Sequence, residues 1–168
     1  MNVASLMLVA FAMSTPTVMA QDTDFSGTWT LDAEASQFPE PPGAGGGRGG
    51  RRGSGGLGRG PATMVIEQSD DVLTMERQLA GGTQVASYRL DGVESTNAGP
   101  RGQQVTTSRW EDGDLVTEGT LAIATPRGSR SIQLRERWTR SEDGQELVIE
   151  STFVTPRGEM VARLVYRR

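Results

Sequence analysis

Arg77 and Glu136 are the residues of this chain whose types and positions best suit chemistry. Both fall on positions that strand alternation places inside, two hairpins apart. An arginine can hold a carboxylate through two parallel hydrogen bonds, and a glutamate beside it can set polarity or accept a ligand hydroxyl. Three interpretations stay open: the two residues pair with each other, a bulge turns Arg77 outward, or they contact a ligand.

The composition excludes several catalytic chemistries. The 168 residues include no histidine and no cysteine, which removes Ser–His and Cys–His catalysis, disulfides, and imidazole or thiolate metal sites. Glycoside hydrolysis needs two carboxyl groups about 5–10 Å apart, and Glu136 is the only acid that we place inside. The acidic stretches 111–114 and 141–144 lack the spacing of a calcium loop and fit hairpin turns. We therefore expect no enzyme, no metal and no cofactor.

The N-terminal segment has the features of a secretory signal peptide. An apolar run spans 3–13, and Val18-Met19-Ala20 places small residues where a signal peptidase cuts. The run is too short to span a bilayer, and no later stretch approaches the roughly 18 apolar residues that a membrane helix needs. We predict cleavage after Ala20, an exported protein that is periplasmic or secreted, and no integral membrane segment after cleavage.

A glycine-rich stretch interrupts the remaining chain, 21–168, which we predict to be one domain. Residues 43–60 contain eleven glycines among 18 residues, with arginines at 48, 51, 52 and 59. Such a composition loses much backbone entropy on ordering and buries little, so 39–62 is predicted to be a disordered loop. Its Arg-Gly-Gly sequence is typical of RNA-binding tails, but no aromatic residues alternate with it to stack bases. With a net charge of −4, we expect no nucleic-acid partner; weak contact with anionic envelope polysaccharide is the alternative.

Period-2 alternation with regular turn signals predicts an all-β chain. We expect about eight or nine antiparallel strands, at 26–32, 63–69, 72–79, 83–91, 103–110, 114–124, 130–139, 145–154 and 159–167. Only Asp32–Ser36 suggests a helical turn. A hairpin unit repeats, with Trp110 before one Asp-Gly turn and Trp138 before the next. Repeated hairpins favour an up-and-down meander, and closure into a barrel removes its edges.

Aligning the repeats assigns the inward face. Leucines 73, 115 and 147 correspond, and counting by twos places both apolar and polar residues inside. So many interior polar groups would destabilise a sandwich core but fit a barrel with a partly hydrated cavity. The candidate ligand-binding residues on this face are Arg77, Tyr88, Ser108, Trp110, Glu136 and Trp138.

The first predicted strand carries Gly27-Thr28-Trp29, which resembles the opening motif of lipocalins and related calycins. The hairpins behind it are similar to those of small exported bacterial lipocalin-like proteins. The resemblance implies a lipocalin-like barrel in which Gly27 and Trp29 form a structural plug at one end. It also implies a basic residue from the last strand against the tryptophan, for which Arg163 or Arg167 is the candidate.

These observations favour an exported, monomeric, non-catalytic barrel that binds a small apolar or amphipathic molecule inside. The alternative is an envelope interaction or structural module with a filled barrel, which contacts partners through its rims or its Arg/Gly loop. Cavity volume separates the two, because a ligand pocket should exceed about 300 Å³ whereas a filled barrel leaves isolated voids.

Overall fold

The computed structural model describes residues 23–39, 60–79, 82–99, 102–125, 128–156 and 158–168. The predicted signal peptide and most of the predicted 39–62 loop lie outside these residues. Ten strands form: β1 (Gly27–Gln37), β2 (Thr63–Gln68), β3 (Val72–Leu79), β4 (Gly82–Arg89), β5 (Glu94–Gly99), β6 (Gly102–Glu111), β7 (Asp114–Thr125), β8 (Gly128–Arg140), β9 (Glu146–Thr155) and β10 (Gly158–Arg167).

One antiparallel sheet contains all ten strands, in the order β4-β3-β2-β1-β10-β9-β8-β7-β6-β5. Strands that follow one another in the chain are neighbours, apart from β4 and β5, and β1 pairs with β10. The tight turns use residues that tolerate positive φ, such as Asp112 (φ 54°) and Gly113 (φ 88°) between β6 and β7. The predicted all-β meander barrel is confirmed, with one strand more than the upper expectation.

The barrel closes through side chains where β4 meets β5, a line that we call the seam. Asn97 imitates a backbone unit: its Oδ1 accepts the Ser87 N–H (2.8 Å) and its Nδ2 donates to the Ser87 carbonyl (2.9 Å). The Ser95 hydroxyl accepts the Arg89 N–H at 2.8 Å. Two side chains of β5 therefore satisfy edge groups of β4 that a neighbouring strand would otherwise bind.

Strand β5 was not predicted, and its composition explains why. Its sequence ESTNAG turns Ser95 and Asn97 inward, and each is only 7% exposed. The alternation is present but its inward members are polar, so apolar periodicity does not detect it.

The predicted helical turn at Asp32–Ser36 is wrong, because β1 continues to Gln37. The register with β10 shifts between Asp32 and Gln37. In this irregular stretch the Asp32 carboxylate accepts the N–H groups of Glu34 (3.1 Å) and Ala35 (3.0 Å). The polar sequence that favoured a helical turn forms these local bonds within a bulged strand instead.

The inward face matches the alignment of the repeats. Leu73, Leu115 and Leu147 are at most 1% exposed, and the polar Thr117 and Ser151 are buried beside them. On the outer face, Arg109 pairs with Glu118 at 3.0 Å and Arg137 pairs with Asp114 at 2.7 Å. Alternation therefore assigned the faces correctly, but the individual surface partners depend on side-chain reach.

Candidate ligand-binding cavity

Residues 23–26 lie across one end of the barrel, which we call the closed end. Hydrogen bonds tie this segment to several strand ends. The Thr23 hydroxyl donates to the Gly113 carbonyl (2.6 Å), and the Gln68 amide donates to the Thr23 carbonyl (3.0 Å). The Arg140 guanidinium donates to the Asp24 carbonyl at 2.6 Å. These bonds fix the segment over the ends of β2, β6 and β8.

Trp29 is the centre of the closed end. It is fully buried, its indole N–H donates to the Phe25 carbonyl at 2.9 Å, and the Arg168 guanidinium carbon lies 4.9 Å from its ring centroid. The basic residue against the tryptophan is thus Arg168, and the expectation of Arg163 or Arg167 is wrong. Those two side chains point outward, where Arg163 pairs with Glu150 and Arg167 with Asp32.

Gly27 supports this packing through its conformation and its missing side chain. Its φ is +141°, and a Cβ there would come within 2.9 Å of the Arg168 guanidinium. An L-residue rarely adopts this φ, and any side chain would displace the cation from Trp29. Gly27 and Trp29 therefore pack together with Arg168 at the closed end.

Two of the candidate ligand-binding residues contact other side chains instead of the cavity. Trp110 stacks on Phe25 with ring centroids 5.8 Å apart, and the Ser108 hydroxyl bonds the Thr117 hydroxyl at 2.8 Å. Neither residue lines the cavity. Trp138 lies at the boundary between the closed end and the cavity. It packs edge-on against Phe25 and Tyr88, with ring centroids 6.1 Å apart in each pair, and it also lines the cavity.

A cavity of about 220 Å³ occupies the barrel beyond this aromatic layer. It is below the roughly 300 Å³ predicted above for a ligand pocket, so that expectation is not met. It is nevertheless larger than an isolated void, because a cavity of about 150 Å³ already holds one benzene ring. Apolar side chains form much of its wall, with polar side chains placed among them. The principal lining residues are Met64, Met75, Arg77, Leu79, Gln84, Tyr88, Gln104, Leu121, Leu134, Glu136, Trp138, Ile149, Ser151, Phe153, Leu164 and Tyr166.

Arg77 faces this cavity from β3. The ladder of β3 with β2 extends as far as Arg77 and the ladder with β4 continues past it, both without a shift, so no bulge turns it outward. Its Nε is buried without a hydrogen-bond partner, and among the described residues it forms no ion pair. Two of the three sequence interpretations, the pair with Glu136 and the outward bulge, are thereby removed.

Glu136 faces the same cavity from β8, and its partners are uncharged. One carboxyl oxygen accepts the Ser151 hydroxyl at 3.1 Å, and the other accepts the Trp138 indole N–H at 3.3 Å. Burial raises the pKa of Glu136, and the hydrogen bond from Ser151 and the charge of Arg77 oppose this only in part. The carboxyl group therefore holds its proton to a higher pH than an exposed glutamate does.

The two tyrosines of the chain both border this cavity, and burial keeps both of them neutral. Burial raises the pKa of Tyr88 to about 12, although the neighbouring Arg77 and Gln104 act in the opposite direction. Burial also raises the pKa of Tyr166. Among these three groups, Glu136 is therefore the one whose charge changes at the lowest pH.

Gln84, Gln104, Ser151 and Tyr166 line the cavity but were not predicted from the sequence as site residues. Gln84 and Gln104 extend the inward rows that contain Tyr88 and Ser108, so the same alternation identifies them when it is counted further. Ser151 and Tyr166 also follow the inward alternation, on β9 and β10, but were not assigned to the site. Which inward residues line a cavity depends on how deeply the closed end is filled, and strand periodicity carries no information about that.

No protein-family model and no curated protein matches the chain. Among solved structures, the chain is similar to zebrafish ileal bile acid-binding protein complexed with cholic acid, with a TM-score of 0.47 and 19% sequence identity. The match covers 63% of this chain and 71% of that one. Within the described residues, no helix is long and apolar enough to cross a membrane.

Proposed function

We propose that this protein is an exported, non-catalytic binding protein that holds one small amphipathic molecule inside its barrel. The observation that carries the proposal is the cavity, which combines an apolar wall with the charged side chain of Arg77, whose Nε has no partner. A buried donor without a partner is unfavourable, and a ligand acceptor placed against it recovers that loss. The proposed export depends on the apolar run 3–13 and the cleavage sequence that ends at Ala20.

The cavity volume limits the ligand to a small molecule. A volume of about 220 Å³ accommodates one aromatic ring with a short substituent, or a short alkyl chain with a polar head. The apolar wall, with Met64, Met75 and Leu164, would contact the body of such a ligand. Arg77 would hold an oxygen-bearing head group, since a guanidinium binds a carboxylate through paired, charge-assisted bonds.

The chemistry available in the cavity supports binding rather than catalysis. Glu136 is the only carboxyl group among the described lining residues, and the chain has no histidine or cysteine to act as a base or nucleophile. Its neighbours Ser151 and Trp138 are hydrogen-bond donors to that carboxyl group. Such an arrangement fixes a head group but supplies no nucleophile–base pair.

An Arg77→Met variant tests this proposal, with Arg89→Met as the matched control because Arg89 lies on the outer face of β4 and pairs with Asp91. Benzoate and hexanoate serve as probes of suitable size. We expect Arg77→Met to weaken their binding at least tenfold while unfolding of the unliganded protein in urea changes little. Arg89→Met should change neither.

Native mass spectrometry of the exported wild-type protein adds an independent measurement. A co-purified molecule that is lost from Arg77→Met supports the proposal. If the wild-type protein carries no ligand and binds neither probe, the proposal is wrong.

The filled-barrel alternative has one specific observation in its favour. The closed end is packed with aromatic rings, and the remaining cavity is smaller than the pocket expected for a drug-sized ligand. In that case, Leu134→Trp, which places a larger side chain in the cavity, would leave the function intact. Under our proposal the same substitution abolishes probe binding while the barrel remains folded.

A further inference from the structure

We propose that the cavity takes its ligand as a monocarboxylic acid, with the carboxylate held by Arg77 and one accompanying proton held by Glu136. This inference rests on the proposed function, because it specifies the ligand of the same cavity. It follows from the two charged groups that share the cavity and from what an added anion does to their balance.

Charged and titratable groups face Glu136 from three other strands. Across the cavity lie Arg77 on β3, Tyr88 on β4 and Tyr166 on β10. The adjacent strands β7 and β9 present Thr117 and Ser151, which carry no charge. Arginine does not titrate in the physiological range, and both phenols have raised pKa values. Of these groups, Glu136 is therefore the one that ionises first as the pH rises.

Binding of a carboxylate changes the net charge of the cavity. With Glu136 ionised, the cavity holds one positive and one negative group, and an entering carboxylate leaves a buried net negative charge. With Glu136 protonated, the same carboxylate neutralises Arg77 and the filled cavity is neutral. Since an unbalanced charge is strongly disfavoured in an apolar site, the anion binds the protonated form in preference.

Glu136 and Arg77 can both donate hydrogen bonds to a bound carboxylate. The donors from Ser151 and Trp138 each occupy one oxygen of Glu136. Both of these bonds are accepted by Glu136, so in its neutral form the Glu136 O–H is still able to donate a hydrogen bond into the cavity. A ligand carboxylate has two oxygens, which suit the N–H groups of Arg77 and the O–H of Glu136. The proton comes from solvent on binding and returns there on release.

This arrangement makes proton uptake and anion binding mutually dependent. Each stabilises the other by the same factor, as linkage requires. Monocarboxylates should bind about tenfold more weakly for each pH unit above the point at which Glu136 titrates in the unliganded protein. A neutral ligand of the same shape should show no such dependence.

The experiment uses benzoate and its neutral isostere benzamide with the full exported protein. Isothermal titration calorimetry between about pH 5 and 9, in pairs of buffers with different ionisation enthalpies, measures the protons taken up per ligand. We expect uptake to rise toward one proton per benzoate as the pH increases past the Glu136 titration, and no uptake with benzamide.

Two variants separate the inference from the proposed function. Glu136→Gln keeps a neutral side chain in place, so benzoate should still bind but with no proton uptake and no decline at high pH. Glu76→Gln, a matched change on the outer face of β3, should behave as the wild type does. Benzoate that binds without proton uptake, or a Glu136→Gln variant that keeps it, overturns this inference but leaves the binding function. Failure of wild-type protein to bind either probe overturns both.

Discussion

The closed end and the cavity are made from the same strands yet satisfy their polar groups in different ways. At the closed end, the Trp29 indole N–H and the Thr23 hydroxyl bond backbone carbonyls, and the Arg140 guanidinium bonds one as well, although its Nε has no partner. In the cavity, Arg77 Nε has none, and Glu136 bonds only neutral donors. The boundary lies within two residues of β8, because Glu136 and Trp138 follow each other on one face. Under the proposed function, the closed end stabilises the fold and the cavity end is available for a ligand.

The largest effect that this comparison predicts is for Trp29→Ala. Removing a fully buried indole that also contacts Arg168 should lower the free energy of unfolding by about 3–5 kcal/mol. The control at the cavity is Leu121→Ala, which should cost under about 2 kcal/mol, because Leu121 is half-buried and already borders empty space. Urea unfolding followed by far-ultraviolet circular dichroism measures both. Equal losses would contradict the division into a stabilising end and an available end.

An alkaline titration sharpens the comparison from the cavity side. Tyr88 has a folded pKa of about 12, above its ordinary value near 10. Tyr88 therefore does not lower the free energy of unfolding below about pH 10. As the pH rises toward 12, the unfolded chain releases a proton that the folded protein keeps, and the free energy of unfolding falls by about 2 kcal/mol. Tyrosinate absorbance should accordingly stay low in the folded protein until near pH 12. Tyr88→Phe should remove part of this pH dependence; an early tyrosinate signal, near the ordinary pKa of the phenol, would show that the ring is in contact with solvent.

The smallest predicted effect compares two glycines at opposite ends of the barrel. Gly27 and Gly82 both have positive φ, +141° and +120°, but only Gly27 has a neighbour that a Cβ would meet. An alanine should destabilise either position because of its φ, by about 1 kcal/mol. Gly27→Ala should cost about 1 kcal/mol more, since it also displaces Arg168. Thermal unfolding of the two variants measures this difference, and equal melting temperatures would mean that Arg168 does not stabilise the closed end.

Strand alternation predicted much of this barrel because equivalent residues of the repeated hairpins show which positions of each strand face inward. The equivalence of Trp110 and Trp138 aligned the inward rows, and those rows were enough to place Arg77 and Glu136 inside. Their lack of an ion pair was not predictable, because strand counting gives the face of a residue but not the distance across the barrel.

Two other features depended on tertiary contacts that no local pattern reports. Strand β5 forms because Ser95 and Asn97 bind the edge of β4, so its stabilising partners lie outside its own sequence. Arg168, rather than Arg163 or Arg167, reaches Trp29 because it follows the end of β10 and can turn over the closed end. Alternation applies only within a strand and therefore does not indicate Arg168.

The seam has a consequence for circular permutation of the chain. The ladders run without a break from β5 through β10 to β1 and on to β4, and only the seam between β4 and β5 lacks one. A circular permutant that begins at Val93 and ends at Gly92, with a linker from Arg168 to Thr23, would have its strands in the same order as the sheet. The linker would cross the closed end, where the Arg168 guanidinium already bonds the Ser26 carbonyl. Contacts such as Arg167–Asp32, now 135 residues apart, would become local, and the lower contact order should make the permuted barrel fold faster than the natural one.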